Sequence, residues 1–186
     1  MAGCLTPPGE SHPRPSLVDR FLRFGAVMGK YRKVDVKIWN DRKFNELSAY
    51  GKLSFLFILT HPSMTALGAM RGTIQGLQSE LPEVPIEAFQ EAFKKFIKYS
   101  EKDCFVWLPN FIKYNKPESA NVVTSWVAGW DLLPECDLKD ELLLCLKGFL
   151  KDFHKAFQEA FMNAFGKALG KTMPIQEQEQ EQDFNY

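Results

Sequence analysis

The sequence predicts a mainly α-helical fold with a small antiparallel sheet, arranged as a winged helix-turn-helix that is followed by additional C-terminal helices. Two observations carry this prediction. Residues 71–97 hold two helical patterns separated by a turn with two prolines, and residues 98–109 hold an apolar run behind a polar tip, which is the pattern of a β-hairpin. A helix-turn-helix followed by a hairpin is the element order of a winged helix, a fold that is used mainly, though not only, to hold double-stranded DNA.

The helix-turn-helix is delimited by its caps and prolines. Residues 73–80 are predicted to form the first helix with Thr73 as its N-cap. Pro82 removes a backbone donor and ends that helix, and Pro85 suits the first position of the next. Apolar residues of the second helix share one face, namely Ile86, Phe89, Phe93, Phe96 and Ile97. Polar residues share the opposite face, namely Glu87, Gln90, Glu91, Lys94 and Lys98.

Two further segments provide the third strand of the predicted sheet and the helix that precedes it. The small apolar segment at residues 66–70 is predicted to pair with the hairpin as a third strand. Upstream of it, Ser48 is placed to cap a helix over residues 49–60, which is apolar nearly all round and therefore central. His61 ends that helix with no partner at a defined spacing, so a structural role is predicted for it.

The segment before this helix alternates apolar and polar residues from Val34 to Trp39. It is predicted to be a short strand or an extended arm with Val34, Val36 and Ile38 on one side. Its basic start suits phosphate contact, and a solvated face beside a packed strand explains the pattern equally well.

Beyond the hairpin the sequence predicts a loop and then helices. Residues 110–117 mix positive charge, amides and aromatic rings in a predicted loop. Ser119 is expected to begin a helix that bears Trp126 and Trp130. Such rings can stack on bases, but at helical spacing they more often belong to the core.

A long amphipathic helix is predicted over residues 135–170, because phenylalanine recurs there at every fourth position. This interval exceeds 3.6 residues, so the stripe winds around the helix. Its rings need burial on the domain, on a second copy in a homodimer, or on a partner. They are Phe149, Phe153, Phe157, Phe161 and Phe165.

Both ends of the chain differ in composition from this middle part. Residues 1–27 are rich in Pro, Gly and Arg and are predicted to be a disordered extension, with Met28 as an alternative start. Residues 171–186 alternate Gln and Glu over much of their length and are predicted to be a disordered tail. Between them, residues 28–134 are predicted to be the winged-helix domain.

The amino-acid composition limits the classes of protein to which this chain can belong. A chain of 186 residues with 45% hydrophobic content is expected to build one core. Basic and acidic residues are equal at 23 each, so no overall field attracts nucleic acid or membrane. Residues 29–130 hold fourteen Lys and Arg against ten Asp and Glu, whereas residues 131–186 hold six against eleven. The middle of the chain is therefore mildly basic and the end acidic.

The sequence lacks the motifs that are typical of several classes of protein. The four cysteines show no Cys-x-x-Cys and no histidine at ligand spacing, so free thiols in a reducing cytoplasm are predicted, with no metal and no cofactor. No apolar run approaches the ~20 residues of a membrane helix. There is no Gly-rich phosphate loop, no His-x-x-x-His and no nucleophile elbow, so a protein other than an enzyme is predicted.

Several stretches of the sequence belong together, namely Tyr31-Arg32-Lys33-Val34-Asp35, Ile38-Trp39-Asn40-Asp41, the stretch from Thr60 to Arg71, Phe105-Val106-Trp107-Leu108-Pro109-Asn110-Phe111, Lys113-Tyr114-Asn115-Lys116-Pro117-Glu118-Ser119 and the Gln-Glu tail. In these stretches the chain resembles prophage replication proteins of the replisome-organiser type. The resemblance covers residues 30 to about 135 and the tail. It implies a DNA-binding module that recognises a replication origin or helps to recruit host replication machinery.

If the motif binds duplex DNA, its second helix enters the major groove and the hairpin tip lies along a neighbouring backbone. Gln90 suits an adenine edge, whereas Glu87 or Glu91 at most accepts from cytosine and repels phosphate. Binding is therefore predicted to be dominated by phosphate contacts, with modest base readout. The predicted DNA-binding residues are Arg71, Thr73, Gln90, Lys94, Lys95, Lys98, Lys102, Lys113, Tyr114, Asn115 and Lys116.

Two alternatives stay open at this point. The winged helix can be a scaffold whose charged faces are merely solvated, because the fold alone does not define its function. The protein is then an adaptor that uses its phenylalanine helix to dimerise or to dock on a replicative helicase, primase or loader. A transcription regulator would use the same DNA chemistry and differ only in the site bound.

Overall fold

The computed structural model describes residues 32–172, and in these the fold class is the predicted one, mainly α-helical with a small three-stranded antiparallel sheet. The extension predicted for residues 1–27 and the tail beyond Thr172 lie outside the described residues. The elements in chain order are a 3₁₀ helix Val36–Asn40, α1 Arg42–Asn45, α2 Ala49–Thr60, β1 Ala69–Arg71, α3 Ile74–Ser79, α4 Ile86–Phe96, β2 Lys98–Ser100, β3 Phe105–Trp107, α5 Phe111–Tyr114, α6 Ala120–Trp130, α7 Asp137–Leu150 and α8 Lys155–Thr172.

The helix boundaries that local chemistry predicts are confirmed. The Ser48 hydroxyl accepts a hydrogen bond from the Gly51 amide at 3.0 Å and caps α2. The Thr73 hydroxyl accepts from the Gly76 amide at 3.0 Å and caps α3. Pro85 is the N-cap of α4, one residue before the first helical position predicted for it.

The sheet forms the middle layer of the molecule, with strand order β1-β3-β2 and both pairings antiparallel. Successive side chains of a strand point to opposite faces. Met70 and Val106 therefore pack with α2, α3 and α4 on one face, whereas Ala69, Phe105 and Trp107 pack with α6, α7 and α8 on the other. The element order from α2 to β3 is the predicted one, and the C-terminal helices cover the second face of the sheet.

The predicted extended arm at residues 34–39 is wrong. The chain forms the 3₁₀ helix there, because the Asp35 carboxylate accepts a hydrogen bond from the Lys37 amide at 2.9 Å. Val36 is 82% exposed, so the alternation does not reflect a buried face. The predicted strand at residues 66–70 is likewise shifted, since Gly68 adopts a left-handed turn and β1 starts at the next residue.

The single long helix predicted over residues 135–170 is also wrong. α7 ends at Leu150 and α8 begins at Lys155, and α8 packs back against both α6 and α7. The amide of Gln158 donates to the carbonyl oxygens of Lys151 and Phe153, each at 2.9 Å, and so satisfies backbone acceptors at the break. The predicted loop at residues 110–117 contains the short helix α5.

The phenylalanine side chains of the stripe pack against the domain itself. Phe161 and Phe165 are each 2% exposed and lie in a cluster with Trp126 and Leu142. The three half-buried rings pack against the same cluster, and they are Phe149, Phe153 and Phe157. The prediction of a partner or oligomer helix is therefore wrong for the two buried rings, because the domain itself covers them. The predicted boundary at residue 134 does not separate two cores, since residues on both sides of it belong to this cluster.

No helix between Arg32 and Thr172 is both long enough and apolar enough to cross a membrane.

A buried lysine closes the turn between α6 and α7, and its removal should be costly. Lys139 is 2% exposed, and its ammonium donates to the Leu133 carbonyl at 3.0 Å and to the Glu135 carboxylate at 2.6 Å. It also lies 4.6 Å from the centroid of the Trp130 ring. We expect Lys139→Ala to lower the free energy of unfolding by about 2–3 kcal/mol, because it removes packing, a cation–π contact and a buried hydrogen bond.

Urea unfolding measures this change. The matched control is Lys167→Ala on the exposed side of α8, which should stay within about 0.5 kcal/mol of wild type. Equal unfolding midpoints for the two variants would contradict a stabilising role for Lys139.

Candidate nucleic-acid interface

The polar face of α4 is partly occupied by contacts within the chain. The Glu91 carboxylate accepts from the amide of Ser48 at 3.2 Å and from its hydroxyl at 2.8 Å, so it reinforces the cap of α2. Lys95 pairs with Glu46 at 3.1 Å, and this contact lowers the pKa of the Glu46 carboxyl. Glu91 and Lys95 are therefore held by other elements, and neither is presented freely to a ligand.

Lys98 lies just beyond α4 and is engaged as well. Its ammonium pairs with the Glu141 carboxylate of α7 and lies 5.4 Å from the centroid of the Trp107 ring. The side chains of α4 that remain exposed for outside contact include Glu87, Gln90 and Lys94.

The hairpin tip is docked on the start of α3. The Glu101 carboxylate accepts from the Ile74 amide at 3.0 Å, and the Gly72 amide donates to the Cys104 carbonyl at 2.8 Å. Arg71 and Lys102 are exposed at this end of the sheet. The Thr73 hydroxyl caps α3, and this structural role explains why a threonine stands at this position without any ligand.

The predicted cations form two groups instead of one patch. Arg71 pairs with Phe105 at the tip end of β3, whereas Lys113 and Lys116 follow the opposite end of that strand. The three residues of β3 span about 10 Å, so the two groups lie at opposite ends of the sheet.

The second group is joined by the segment that precedes the 3₁₀ helix. The Lys33 amide donates to the side-chain oxygen of Asn115 at 2.9 Å, and the Asn115 amide group donates to the carbonyl oxygens of Phe111 at 3.3 Å and Lys33 at 3.4 Å. Asn115 thus fastens the two segments together, which is a positioning role. The result is a cavity of about 350 Å³ lined by Lys33, Val34, Asp35, Lys113, Tyr114 and Lys116, which we call the basic groove.

Arg32 anchors the same segment from the other side. Its guanidinium donates to the Met64 carbonyl and lies 5.8 Å from the centroid of the Phe111 ring. Burial lowers the pKa of Arg32. The backbone beside the groove is therefore held at both Arg32 and Lys33.

The electrostatics of the basic groove suit an exchangeable anion. Lys33 pairs with Glu118 at 2.7 Å, and this hydrogen bond lowers the pKa of the Glu118 carboxyl. Both side chains are largely exposed, and an exposed ion pair contributes little to stability. A phosphate can therefore replace Glu118 on Lys33 at small cost, with Lys113 and Lys116 as further cations.

Sequence reasoning did not place Lys33 among the site residues. The sequence does carry a signal, because the basic start of this segment suits phosphate contact. The sequence could not show that Lys33 pairs with Asn115, because the two residues lie 82 positions apart.

The remaining titratable candidates have structural explanations. His61 is buried, its Nε2 lies 3.0 Å from the Glu80 carboxylate, and its Nδ1 accepts from the Ser63 amide at 3.1 Å. Within residues 32–172, no three His, Cys, Asp or Glu side chains are placed to hold a metal ion. Cys104, Cys136 and Cys145 are free thiols, and burial raises the pKa of Cys145.

No protein-family model matches this chain, and neither a curated protein nor a solved structure does.

Proposed function

We propose that this protein binds double-stranded DNA, with the basic groove as its main phosphate contact. The observation that carries the proposal is the convergence of Lys33, Lys113 and Lys116 on one groove beside an exposed tyrosine. Backbone phosphates are the usual partners of such lysines, and these contacts supply most of the affinity of a protein for DNA. The element order of a winged helix supports the same class of ligand.

Base readout is a smaller part of this proposal. Gln90 can pair with an adenine edge and Lys94 can contact phosphate or guanine, but Glu87 on the same face repels the backbone. The helix α4 therefore contributes modest sequence preference, while the groove contributes affinity.

The resemblance to prophage replication proteins favours a role in replication initiation of a phage or prophage. A transcription regulator would bind DNA in the same way, and a titration on duplexes from the protein's own genomic neighbourhood distinguishes the two by the site preferred. The adaptor alternative relied on an outward phenylalanine helix. The inward packing of Phe161 and Phe165 removes that support.

The affinity for random duplex should depend on salt in proportion to the number of phosphate contacts. Three contacts predict that the logarithm of affinity falls with the logarithm of salt at a slope of about −3. The triple variant Lys33→Gln, Lys113→Gln and Lys116→Gln should lose roughly a hundredfold in affinity at 0.1 M salt and most of this slope. Fluorescence anisotropy at two or more salt concentrations measures both quantities.

A control variant with the same change in net charge makes this test specific. Lys151→Gln, Lys167→Gln and Lys171→Gln alter exposed lysines of the C-terminal helices and should leave affinity within about threefold. Glu118→Gln should act in the opposite direction and tighten binding, because it frees Lys33 and removes a repelling charge. Equal losses for the two triple variants, or a slope near zero for wild type, would refute the proposal.

A further inference from the structure

The basic groove adjoins a larger cavity of different character. This cavity of about 490 Å³ shares Lys33, Val34, Asp35 and Tyr114 with the groove. Its floor is apolar and made by the buried Phe55, Leu59, Leu108 and Phe111 with the half-buried Phe96. Because the two spaces share four lining residues, an apolar half and a cationic half lie side by side.

The size and lining of the larger cavity suit a small planar group. Cavities of roughly 300–1,000 Å³ with apolar walls and a few polar groups are the usual binding sites of small ligands. Tyr114 is 54% exposed at the junction of the two halves, so one face of its ring is available for stacking.

Polar groups at the rim can orient such a ligand. Asn40 and Asn110 line the cavity, and within residues 32–172 no hydrogen bond occupies either side-chain amide. An asparagine amide offers one donor and one acceptor, which matches the edge of a nucleobase. A ligand that carries an anion beside a planar polar ring therefore fits the whole site.

We propose that the site holds one unpaired nucleotide of a DNA strand, with its base in the 490 Å³ cavity against Tyr114 and its phosphate on Lys33, Lys113 and Lys116. The inference rests on the proposed function and deepens it, because it adds recognition of an unpaired nucleotide to the binding of duplex backbone. Charge complementarity selects this occupant, since three lysines and one carboxylate, that of Asp35, line the half of the site that an acyl chain or an apolar peptide would leave unmatched.

Competition among defined DNA ligands tests the proposal on the full chain. A duplex with one unpaired nucleotide and a single strand should each bind about tenfold more tightly than the fully paired duplex. Tyr114→Ala should abolish this preference, measured as the ratio of the affinities for unpaired and paired ligands, and Tyr114→Phe should retain it because the ring is kept. Tyr50→Ala is the matched control, since Tyr50 is similarly exposed but does not line the cavity.

A fluorescent base reports the contact directly. With 2-aminopurine at the unpaired position, binding of wild type should change the fluorescence of the base, and binding of Tyr114→Ala should not. Equal affinity for paired and unpaired ligands would overturn the inference and leave duplex binding intact, whereas no binding to any DNA would overturn both proposals. Free dAMP that binds as tightly as the oligonucleotides, or displacement by an acidic aromatic peptide at lower concentration than by DNA, would overturn it in favour of a free nucleotide or a protein partner.

Discussion

Gly68→Ala is expected to lower the free energy of unfolding by about 2–5 kcal/mol. Gly68 has φ +76°, a left-handed conformation that costs roughly 1–2 kcal/mol for a residue with a Cβ atom. A Cβ atom there would lie 2.3 Å from the Cβ atom of Phe111 and 2.5 Å from its Cγ atom. Phe111 is 3% exposed and closely packed, so shifting it to relieve the overlap adds a further penalty of about 1–3 kcal/mol.

The position of Gly68 explains why its replacement should disturb more than one turn. Its amide donates to the Thr65 carbonyl at 3.1 Å and its carbonyl accepts from the Leu108 amide at 2.8 Å. It therefore joins the start of β1 to the segment that leads into α5. Displacing Phe111 would also shift the floor of the 490 Å³ cavity.

Thermal and urea unfolding check this expectation, with Gly148→Ala as the control. A Cβ atom at Gly148 meets nothing within 4 Å, and Gly148 lies inside α7. Alanine should therefore stabilise the protein there by about 0.5–1 kcal/mol. A Gly68→Ala protein that unfolds at the wild-type midpoint would show that the turn does not need its left-handed glycine.

Phe165→Ala is the second large change, and it should cost about 3–5 kcal/mol. Phe165 stacks on Phe161 with ring centroids 4.9 Å apart and meets the Trp130 ring edge-on at 5.6 Å. Removing the ring leaves a cavity between α6 and α8 that the close-packed neighbours fill only in part. The stability of the whole molecule should fall, because this cluster also covers one face of the sheet.

The neighbouring helix position provides the control for Phe165. Met162 lies on the same helix and is 47% exposed, so Met162→Ala should stay within about 1 kcal/mol of wild type. Urea unfolding and sedimentation of both variants separate two roles of the stripe. A Phe165→Ala chain of unchanged stability but altered sedimentation would place the ring on an interface instead of in the core.

Local sequence determined the caps and turns of this protein. Ser48 and Thr73 each bond an amide three residues ahead, and Pro85 ends the turn before α4, so all the atoms involved lie within a few positions. The apolar run at β3 likewise predicted a hairpin strand, although it did not show which helices would cover the two faces of that strand.

Tertiary structure alone decided which charged and aromatic groups meet. Glu91 binds Ser48, which lies 43 positions away, and Lys33 binds Asn115, which lies 82 positions away. A charged face that the sequence predicts to be a ligand surface is therefore partly occupied by contacts within the molecule. The phenylalanine repeat predicted that its rings are buried, but it did not show which surface covers them. Because the helix breaks after Leu150, α8 folds back and its rings pack on the same domain. The physical reason is that apolar contacts and ion pairs form between residues at any separation along the chain. The hydrogen bonds of caps and turns, in contrast, connect only residues that are close in sequence.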